Sequence, residues 1–543
     1  MTKSAHLDVL GPWSAVGSKH LIELLNESCK RRPDDAAMLF EDGVGVSRKD
    51  LAAAVRRFAG WLSARVSAGD RIAIVMQSRI EYMIAIFAII AVRGVVVSVN
   101  PDAKSFDAAH VLRDSGATLV IVDSTTQAMI ADVRGSVESL RDIGLVDGPE
   151  PHGLSSFGSE DLLIDLAAVS CQREDITTVY YTSGTTGLSK GCMASHARWL
   201  RSADLWLRLA PRTPSDRTLC CTQFYYSDAF IQLLMSLHSG GPMVVMRRFS
   251  VSRFWKVVSE MGVTDLLTIA SMPLLLLKAP PSSAERQHNV RYAIGVGIPP
   301  QQHRELVERF GFPWLDNYGI SEAGLVSRVP IQDAERMIGS GSIGIPVPEV
   351  DVRIVGPDGE EVKTGALGEM VVRSLVMFSG YLNQPEATRM ALRDGWYHTG
   401  DLVRRDENDF LYFVGRTKDM VRRSGENVAA AEIEEVLRTH PRILDAAVVA
   451  RPDDLRGEEI HGYVQLVDGE TINTLPPADI LRHCAERLAS FKVPRFLTYQ
   501  LSPFPRTPSL RIRKTELDDA QPCWDREAAA FVQVSVQSAR GPK

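Results

Sequence analysis

Apolar residues follow two spacings along the first two thirds of the chain, one typical of helices and one of buried strands. Helical spacing marks residues 20–31 and 47–64. Short, continuous runs rich in β-branched residues at 95–99 and 118–122 are typical of buried strands in a parallel sheet. Further signals of these two kinds follow at 70–75, 83–92, 243–246, 292–296 and 301–310. This alternation predicts a large layered α/β domain.

The pattern changes near residue 351. From 351 to 372 short apolar stretches surround turns such as Pro357-Asp358-Gly359, which predicts a small β subdomain. After residue 416 a second α/β pattern begins, with helices at 430–439 and 477–489 and strands at 443–450 and 461–467. A segment of about 125 residues is long enough for its own core. We therefore predict an N-terminal domain over 1–417 and a C-terminal domain over 418–543.

Amino-acid composition excludes several classes of protein and of binding partner. The 543 residues exceed what one hydrophobic core holds, and 45% hydrophobic with 24% charged residues is typical of globular proteins. A net charge of -6 argues against nucleic acid or an anionic membrane as the main partner. The apolar run at 83–92 is too short to cross a bilayer, and residues 1–17 contain no apolar leader, so we expect a cytoplasmic protein. The seven cysteines lack CxxC spacing, which favours free thiols over a zinc site.

The segment 180–191, Y-Y-T-S-G-T-T-G-L-S-K-G, has the clearest chemistry. It combines five Ser/Thr residues, three glycines and Lys190 behind a β-prone lead-in. Glycines let the backbone approach a ligand, and free N–H groups with hydroxyls form an anion-binding concavity. A polyphosphate is the natural occupant, although the spacing is not that of a P-loop. A glycine-rich surface loop without a ligand is the alternative.

The same segment resembles the nucleotide-binding signature of the adenylate-forming superfamily, which includes acyl- and aryl-CoA synthetases, adenylation domains of nonribosomal peptide synthetases and beetle luciferases. Other segments follow in the family's order. Residues 318–322, Y-G-I-S-E, are similar to its Y-G-x-T-E, and 395–401 match its G-W-x-x-T-G-D. Residues 415–419, G-R-T-K-D, match the hinge pattern, and 424–427 match the loop after it. The resemblance extends from about residue 20 to about residue 520.

The resemblance implies an acyl-adenylate made from ATP and an acid, a thioester made with coenzyme A, and two orientations of the C-terminal domain about Lys418. Residues 182–190 would hold the β- and γ-phosphates, Ser321 the α-phosphate and Glu322 a Mg²⁺ ion. Tyr318 would lie against adenine, and Asp401 with Arg416 would bind the ribose. The nucleotide-binding set implied is Thr182, Ser183, Gly184, Thr185, Thr186, Gly187, Lys190, Gly297, Tyr318, Gly319, Ser321, Asp401 and Arg416.

By the same resemblance, the acyl group would bind near residues 224–226 and 296–299. The residues implied are Phe224, Tyr225, Tyr226, Val296, Gly297 and Ile298. Neither segment contains a lysine, an arginine or an acid, so we predict a bulky apolar acid rather than an amino acid. Nearby Asp228 is the one group that would suit an ammonium. The alternative is that these are ordinary core residues.

The second half-reaction would use the loop 422–427, where Gly425 would let the backbone line a pantetheine tunnel. Arg422, Arg423, Lys492 and Arg495 are candidates for the CoA phosphates, with a solvated basic face as the alternative. A carrier-protein phosphopantetheine is another possible acceptor. His398, close to Asp401, is interpreted as a hydrogen-bonding residue, because a carboxylic acid is already ionised at neutral pH and adenylation needs no base.

One site departs from the family. Where the family reads P-R-T-x-S-G-K-I-x-R, with a lysine that bridges the substrate carboxylate and the α-phosphate, residues 505–514 read P-R-T-P-S-L-R-I-R-K. Leu510 thus replaces glycine and Arg511 replaces the lysine, exchanging a compact ammonium for a planar guanidinium. Lys514, three residues on, is a poor substitute.

Three hypotheses follow from this departure. In the first, Arg511 impairs adenylation, and the protein makes thioesters from acyl-adenylate supplied by a partner ligase, a division of labour similar to that of platensimycin-type diterpenoid pathways. The second is a complete acyl-CoA synthetase that tolerates Arg511. The third is a pseudoenzyme that binds nucleotide or adenylate only. The catalytic residues implied by the resemblance are Arg511, Lys418, Gly425, Ser321 and Glu322.

Overall fold

The computed structural model describes residues 17–147, 163–182, 189–269, 272–423, 426–453, 455–506, 512–517 and 521–532. The chain divides into a large and a small compact unit. The large unit comprises Met1–Val352 and Val372–Tyr397, and the small unit comprises Arg353–Val371 and His398–Lys543. The mixed α/β fold, with a large N-terminal and a small C-terminal domain, is the predicted one. The boundary at Lys418 lies inside the small unit and stays a prediction.

Among the described residues, helices α1 to α11 belong to the large unit and the last two to the small unit. They are α1 Leu21–Arg31, α2 Arg48–Ser63, α3 Ile80–Ala91, α4 Ser105–Ser115, α5 Gln127–Arg134, α6 His196–Leu209, α7 Ser227–Ser239, α8 Val251–Glu260, α9 Met272–Lys278, α10 Pro300–Phe310, α11 Pro385–Ala391, α12 Ala430–Arg438 and α13 Pro477–Ala485.

The strands alternate with these helices in the first 320 residues and dominate the chain after that. They are β1 Ala36–Phe40, β2 Gly45–Ser47, β3 Arg71–Val75, β4 Val95–Ser98, β5 Leu119–Val122, β6 Asp142–Leu145, β7 Ile176–Thr182, β8 Lys190–Ser195, β9 Thr218–Cys220, β10 Met243–Val245, β11 Asp265–Ile269, β12 Tyr292–Val296, β13 Trp314–Ile320, β14 Gly324–Arg328, β15 Ser342–Pro346, β16 Val350–Val355, β17 Gly368–Ser374, β18 Leu392–Arg393, β19 Trp396–Arg405, β20 Leu411–Arg416, β21 Met420–Arg423, β22 Glu426–Ala429, β23 Ile443–Asp453, β24 Gly457–Leu466, β25 Phe496–Tyr499, β26 Cys523–Asp525 and β27 Ala530–Val532.

Local sequence explains where the predicted helices begin. Helix α2 begins after Ser47, whose hydroxyl accepts a hydrogen bond from the backbone N–H of Asp50, a typical N-cap. Helix α3 needs no amphipathic pattern, because it is buried on every side from Tyr82 to Ala91. It accounts for the long apolar run in the sequence.

Two sheets organise the large unit. One has the order β6-β5-β3-β4-β7-β8, parallel except for the antiparallel pair β7 and β8. In the other, β1, β10, β9, β11, β12 and β13 run parallel. The carboxyl ends of parallel strands meet at one edge, where open α/β sheets bind their ligands. The segments that follow β9, β12 and β13 therefore come to the same edge.

The small unit has its own core between helices α12 and α13 and the sheet β22-β21-β24-β25-β26-β27. Strands β23 and β24 form one long hairpin that reaches Asp453 and Gly457, beyond the predicted strand ends at 450 and 461. Among the added residues only Ile460 has a large apolar side chain, so hydrophobic patterning does not reveal them. Ion pairs stabilise this end, including Arg495 with Asp453 at 2.9 Å.

Candidate active site

The turn that follows β13 carries two predicted site residues. Strand β13 contains Tyr318, and after its last residue, Ile320, the chain turns through Ser321 and Glu322 before β14 begins at Gly324. The pairing of β13 with β14 is irregular between Tyr318 and Gly319. The structure thus places the residues expected to contact adenine, the α-phosphate and Mg²⁺ within one short segment at the carboxyl edge of the sheet.

Arg198 holds this turn from helix α6. The side chain is only 8% exposed, and burial lowers its pKa. Its guanidinium donates one hydrogen bond to the backbone carbonyl of Ser321 and another, at 3.0 Å, to that of Val376. Sequence reasoning missed Arg198. The sequence feature that could have revealed Arg198 is a charged residue on the apolar face of an amphipathic helix.

The phenol hydroxyl of Tyr381 holds the carboxylate of Glu322. The Tyr381 hydroxyl donates to the Glu322 Oε1 atom at 2.8 Å and lies 3.4 Å from the Tyr397 hydroxyl. The Lys190 Nζ atom lies 5.1 Å from the centroid of the Tyr381 ring. The predicted phosphate-binding lysine and the predicted metal-binding carboxylate therefore lie around the same side chain, which the sequence did not single out.

The donor set around Glu322 suits magnesium bound together with a nucleotide. Among the described residues no three His, Cys, Asp or Glu side chains cluster as a protein-only metal cage would require. Mg²⁺ is usually held by one or two carboxylates, by waters and by substrate phosphates. A single carboxylate with a nearby lysine fits that mode of binding.

The predicted anion-binding loop lies largely outside the described residues. This applies to Ser183, Gly184, Thr185, Thr186 and Gly187, and to the side chain of Thr182. The backbone on both sides is defined, because Thr182 pairs with Lys190 and Tyr181 with Gly191 across β7 and β8. The loop is therefore the connection of an antiparallel hairpin.

Asp316 fixes the loop after β12. Its carboxylate accepts hydrogen bonds from the backbone N–H groups of Gly297 at 3.2 Å and Ile298 at 3.1 Å, and a third from Asn317 at 2.8 Å. Burial raises the pKa of Asp316 to about 7. Gly297 has a φ of +77°, which favours glycine. Sequence analysis named Gly297 and Ile298 but missed their anchor.

The predicted acyl-binding residues differ in exposure. Phe224 is fully buried and packs edge-on against Tyr82, with ring centroids 6.0 Å apart. Ile298 is 4% exposed and belongs to a hydrophobic core cluster. Tyr225, Tyr226 and Val296 are only half-buried. For Phe224 and Ile298 the structure thus adds a packing role, which was the alternative interpretation.

In the small unit, the two predicted ribose-binding residues pair directly. Asp401 and Arg416 face each other across β19 and β20, and their side chains form an ion pair of 3.0 Å. The neighbouring His398 Nδ1 atom lies 3.0 Å from Glu369 Oε2. Glu369 also accepts a hydrogen bond from the backbone N–H of Gly400. His398 thus makes the kind of contact expected of a hydrogen-bonding residue.

The predicted thioesterification loop is the connection between β21 and β22, which pair from Met420 with Ala429 to Arg423 with Glu426. Ser424 and Gly425 lie outside the described residues, as do the side chains of Lys418, Arg422, Glu426 and Asn427. The backbone of Lys418 belongs to a short 3₁₀ helix, Thr417–Asp419.

Three of the four basic residues suggested for the CoA phosphates already have carboxylate partners. Arg423 donates to both oxygens of the fully buried Glu459, at 2.8 and 3.0 Å. Lys492 pairs with Glu432 at 2.7 Å, and Arg495 pairs with Asp453 and Asp525. A bidentate pair with a buried carboxylate balances much of the charge of Arg423, and the assignment of these residues to the CoA phosphates stays a prediction.

The loop that carries the departure from the family begins and ends at a bridge between Arg506 and Ile512. Leu510 and Arg511 lie between them, outside the described residues. Lys514 pairs with Glu434 at 2.7 Å, which agrees with the expectation that it does not replace the missing lysine.

Comparison with known proteins identifies the family. The model of the AMP-binding enzyme family matches residues 25–382, and that of the AMP-binding enzyme C-terminal domain matches residues 432–510. The chain belongs to the AMP-binding enzyme family. It is of the acyl-CoA synthetase type within the adenylate-forming superfamily, as the sequence motifs predicted. A helix long and apolar enough to span a membrane does not occur in the described ranges.

Relatives of this family enzyme match it over nearly their whole length. A crotonobetaine/carnitine–CoA ligase of Salmonella paratyphi A is 28% identical and matches over 92% of this chain and 99% of its own. The o-succinylbenzoate CoA synthetase of Bacillus subtilis, solved with its acyl-adenylate intermediate, is 26% identical with a TM-score of 0.81, covering 92% of this chain and 98% of its own. The same synthetase was solved with ATP and magnesium, with a TM-score of 0.79, 26% identity and coverages of 91% and 98%.

Proposed function

We propose that the protein is an AMP-forming acyl-CoA ligase that performs both half-reactions on a bulky, mainly apolar carboxylic acid. The first joins the acid to ATP with release of pyrophosphate, and the second transfers the acyl group to coenzyme A with release of AMP. The observation that carries this proposal is the Ser321–Glu322 turn, held by Arg198 and Tyr381 beside Lys190. Related CoA ligases that match over 92% of this chain support it.

The residues fit the electrostatic demands of the first half-reaction. An anionic carboxylate must approach a polyanion, so positioning and positive charge dominate the catalysis. Lys190 would supply charge near the terminal phosphates, and Glu322 would hold Mg²⁺ together with them. When bound, the ion would neutralise part of the negative charge of the phosphates. No general base is required, because the acid is ionised at neutral pH.

A second candidate function is thioesterification alone, with the adenylate supplied by a partner ligase. One observation favours it, namely the replacement of the family's Gly-Lys by Leu510-Arg511. A pseudoenzyme that binds nucleotide only is the candidate of a different class. The intact motifs at 415–419 and 424–427 favour a working second step over that candidate.

Separate assays of the two half-reactions distinguish the three candidates. ATP–pyrophosphate exchange with a panel of acids measures adenylation, and CoA consumption with synthetic acyl-adenylates measures thioester formation. The panel should contain aliphatic acids, aryl acids and an acid with a quaternary ammonium group, as the names of the relatives suggest. We expect both reactions. Thioester formation without exchange would favour the second candidate, and the absence of both would favour the pseudoenzyme.

A further inference from the structure

Strand β19 contains a left-handed residue directly before the predicted ribose-binding carboxylate of Asp401. This residue is Gly400, whose φ is +68°, a conformation that favours glycine. A Cβ atom added at Gly400 would meet no other atom within 4 Å, so backbone conformation rather than close packing accounts for the glycine. After this residue, Asp401 lies opposite Arg416 on β20. The direction of the Asp401 side chain therefore depends on how the backbone before it is held.

The side chain of Thr399 holds the backbone N–H of Asp401. Its hydroxyl accepts a hydrogen bond from that N–H at 3.0 Å and donates one to the backbone carbonyl of Met370 at 2.7 Å. A threonine hydroxyl has one proton to donate, and here that proton goes to a neighbouring strand. The hydroxyl thus links the backbone of Asp401 to β17.

The side chain of Glu369, also on β17, holds the preceding N–H group. Its Oε1 atom accepts a hydrogen bond from the backbone N–H of Gly400 at 3.0 Å, and its Oε2 atom lies 3.0 Å from His398 Nδ1. Hydrogen bonds to an ionised carboxylate are stronger than those between neutral groups. Side chains therefore fix both of the consecutive N–H groups that lead into Asp401.

A carboxylate held in this way is suited to discriminate between sugars. Asp401 is 2% exposed and forms an ion pair with Arg416 at 3.0 Å. A buried carboxylate with a fixed backbone accepts hydrogen bonds from donors in set positions only. A sugar that lacks one hydroxyl forfeits such a hydrogen bond, and bonds to charged, buried groups are among the strongest.

We propose that Thr399 and Glu369 are positioning residues that orient Asp401 and thereby set a preference for ribonucleotides over deoxyribonucleotides. This inference rests on the proposed function, because it takes Asp401 as the residue that contacts the ribose of ATP. It adds to that function a specificity for the sugar and the two side chains through which Asp401 attains it.

Calorimetry of the full-length protein with ATP, 2′-deoxy-ATP and 3′-deoxy-ATP tests the proposal. Mg²⁺ is present and the acid is omitted, so no catalytic step takes place. The ribose preference is the Kd of the more weakly bound deoxy analogue divided by the Kd of ATP. For the wild type we expect a preference of at least about tenfold, since one hydrogen bond to a charged group is lost.

Three variants assign this preference to the two side chains. Thr399→Val removes the hydroxyl at nearly constant shape and should reduce the preference to within about threefold, mainly by weakening the binding of ATP. Glu369→Leu removes both acceptor oxygens and should have the same effect. Thr399→Ser restores the hydroxyl and should keep the preference within about twofold of the wild type. A preference that is unchanged in Thr399→Val and Glu369→Leu would overturn the inference.

Thr474→Val is the matched control for a purely structural role. The Thr474 hydroxyl, also in the small unit, accepts a hydrogen bond from the backbone N–H of Thr471 at 2.8 Å and donates one to its carbonyl at 3.0 Å. Its loss should leave the ribose preference at the wild-type value. Equal weakening of ATP and of both deoxy analogues in Thr399→Val would indicate a role in stability alone and would also overturn the inference.

Assays of the two half-reactions separate this inference from the function on which it rests. If the wild type catalyses both half-reactions yet binds ATP and the deoxy analogues equally, the function stands and the inference fails. If the wild type shows the ribose preference but catalyses neither half-reaction, the proposed function fails and the positioning of Asp401 stands.

Discussion

Tyr381 holds Glu322 through one hydrogen bond, and Tyr381→Phe removes that bond with little change in shape. Loss of such a supporting contact typically costs about 10- to 100-fold in metal affinity or activity. We therefore expect the variant to need about tenfold more Mg²⁺ for half-maximal ATP–pyrophosphate exchange. Titration of exchange with Mg²⁺ measures this change.

Tyr412→Phe is a matched control, since the Tyr412 hydroxyl also donates to a carboxylate, that of Asp406 at 3.0 Å, in the small unit. Its Mg²⁺ requirement should equal that of the wild type. Equal requirements in both variants and the wild type would mean that Tyr381 does not position Glu322.

Substitution of Arg511 tests how strongly the rate of adenylation depends on the compact ammonium of the family lysine. A guanidinium spreads its charge over a plane and cannot occupy the same bridging point as an ammonium. Displacing a transition-state contact by about 1 Å can cost on the order of 10²-fold in rate. Arg511→Lys should therefore increase ATP–pyrophosphate exchange, and the addition of Leu510→Gly should increase it further.

Thioester formation from a supplied acyl-adenylate serves as the internal control for this pair of variants. It should change little, because the resemblance assigns Arg511 to the first half-reaction only. Exchange that is unchanged by Arg511→Lys would show that the arginine is tolerated.

Asp316 provides a pH-dependent prediction. Its folded-state pKa of about 7 lies above its ordinary value of about 3.9. The folded protein thus favours the protonated form, so the wild type loses stability as the pH rises from about 4 to about 7. Asp316→Asn does not titrate there. The melting temperature of the wild type relative to this variant should fall across that range.

The measurement is the melting temperature of both proteins in a pH series at constant ionic strength. Other titrating groups are shared by the two proteins and cancel in the difference. A difference that does not vary with pH would show that burial leaves the pKa of Asp316 near its ordinary value.

At the scale of elements, the β21–β22 hairpin is predicted to carry the thioesterification step. Gly425→Leu places a branched side chain where the resemblance requires a pantetheine to pass. We expect loss of thioester formation with retained adenylate binding, measured by CoA consumption and by calorimetry. Gly135→Leu is the control, because an added Cβ at Gly135 meets no other atom within 4 Å. CoA consumption at the wild-type rate in Gly425→Leu would place the tunnel elsewhere.

Elements with strong apolar patterns were predictable, and contacts between distant polar residues were not. The pattern located α2 and α3 within three residues at each end and gave both ends of β12, because burial determines both the pattern and the element. The polar ends of β23 and β24 escaped prediction because ion pairs stabilise them. The ion pair of Arg423 escaped prediction because its partner Glu459 lies 36 residues away in sequence.

At the scale of the whole molecule, the resemblance implies two arrangements of the domains for the two half-reactions, with the pivot at Lys418. Lys418→Pro fixes φ near −65° and restricts rotation about the pivot. Adenylate binding should persist while CoA transfer slows, as expected when a conformational step limits turnover. Single-turnover kinetics of thioester formation measure this. An unaltered transfer rate would argue against rotation at Lys418.

The ordered motifs identified the family and most of the predicted site. Each motif is a short continuous segment, so its residues can be recognised from local sequence alone. Arg198 and Tyr381 could not be found that way. Each acts on the 321–322 turn from more than 50 residues away in sequence, so only folding brings them together.

The ion pair between Asp401 and Arg416 has a consequence for ionic strength. Asp401 is 2% exposed, and its charge is balanced by Arg416 at 3.0 Å before any nucleotide arrives. Mobile ions screen such a buried pair far less than exposed charges. Because the resemblance assigns this pair to the ribose, we expect added salt to weaken binding of the phosphates much more than binding of the ribose. Adenosine binding should vary little with salt, whereas ATP binding should weaken as salt is added.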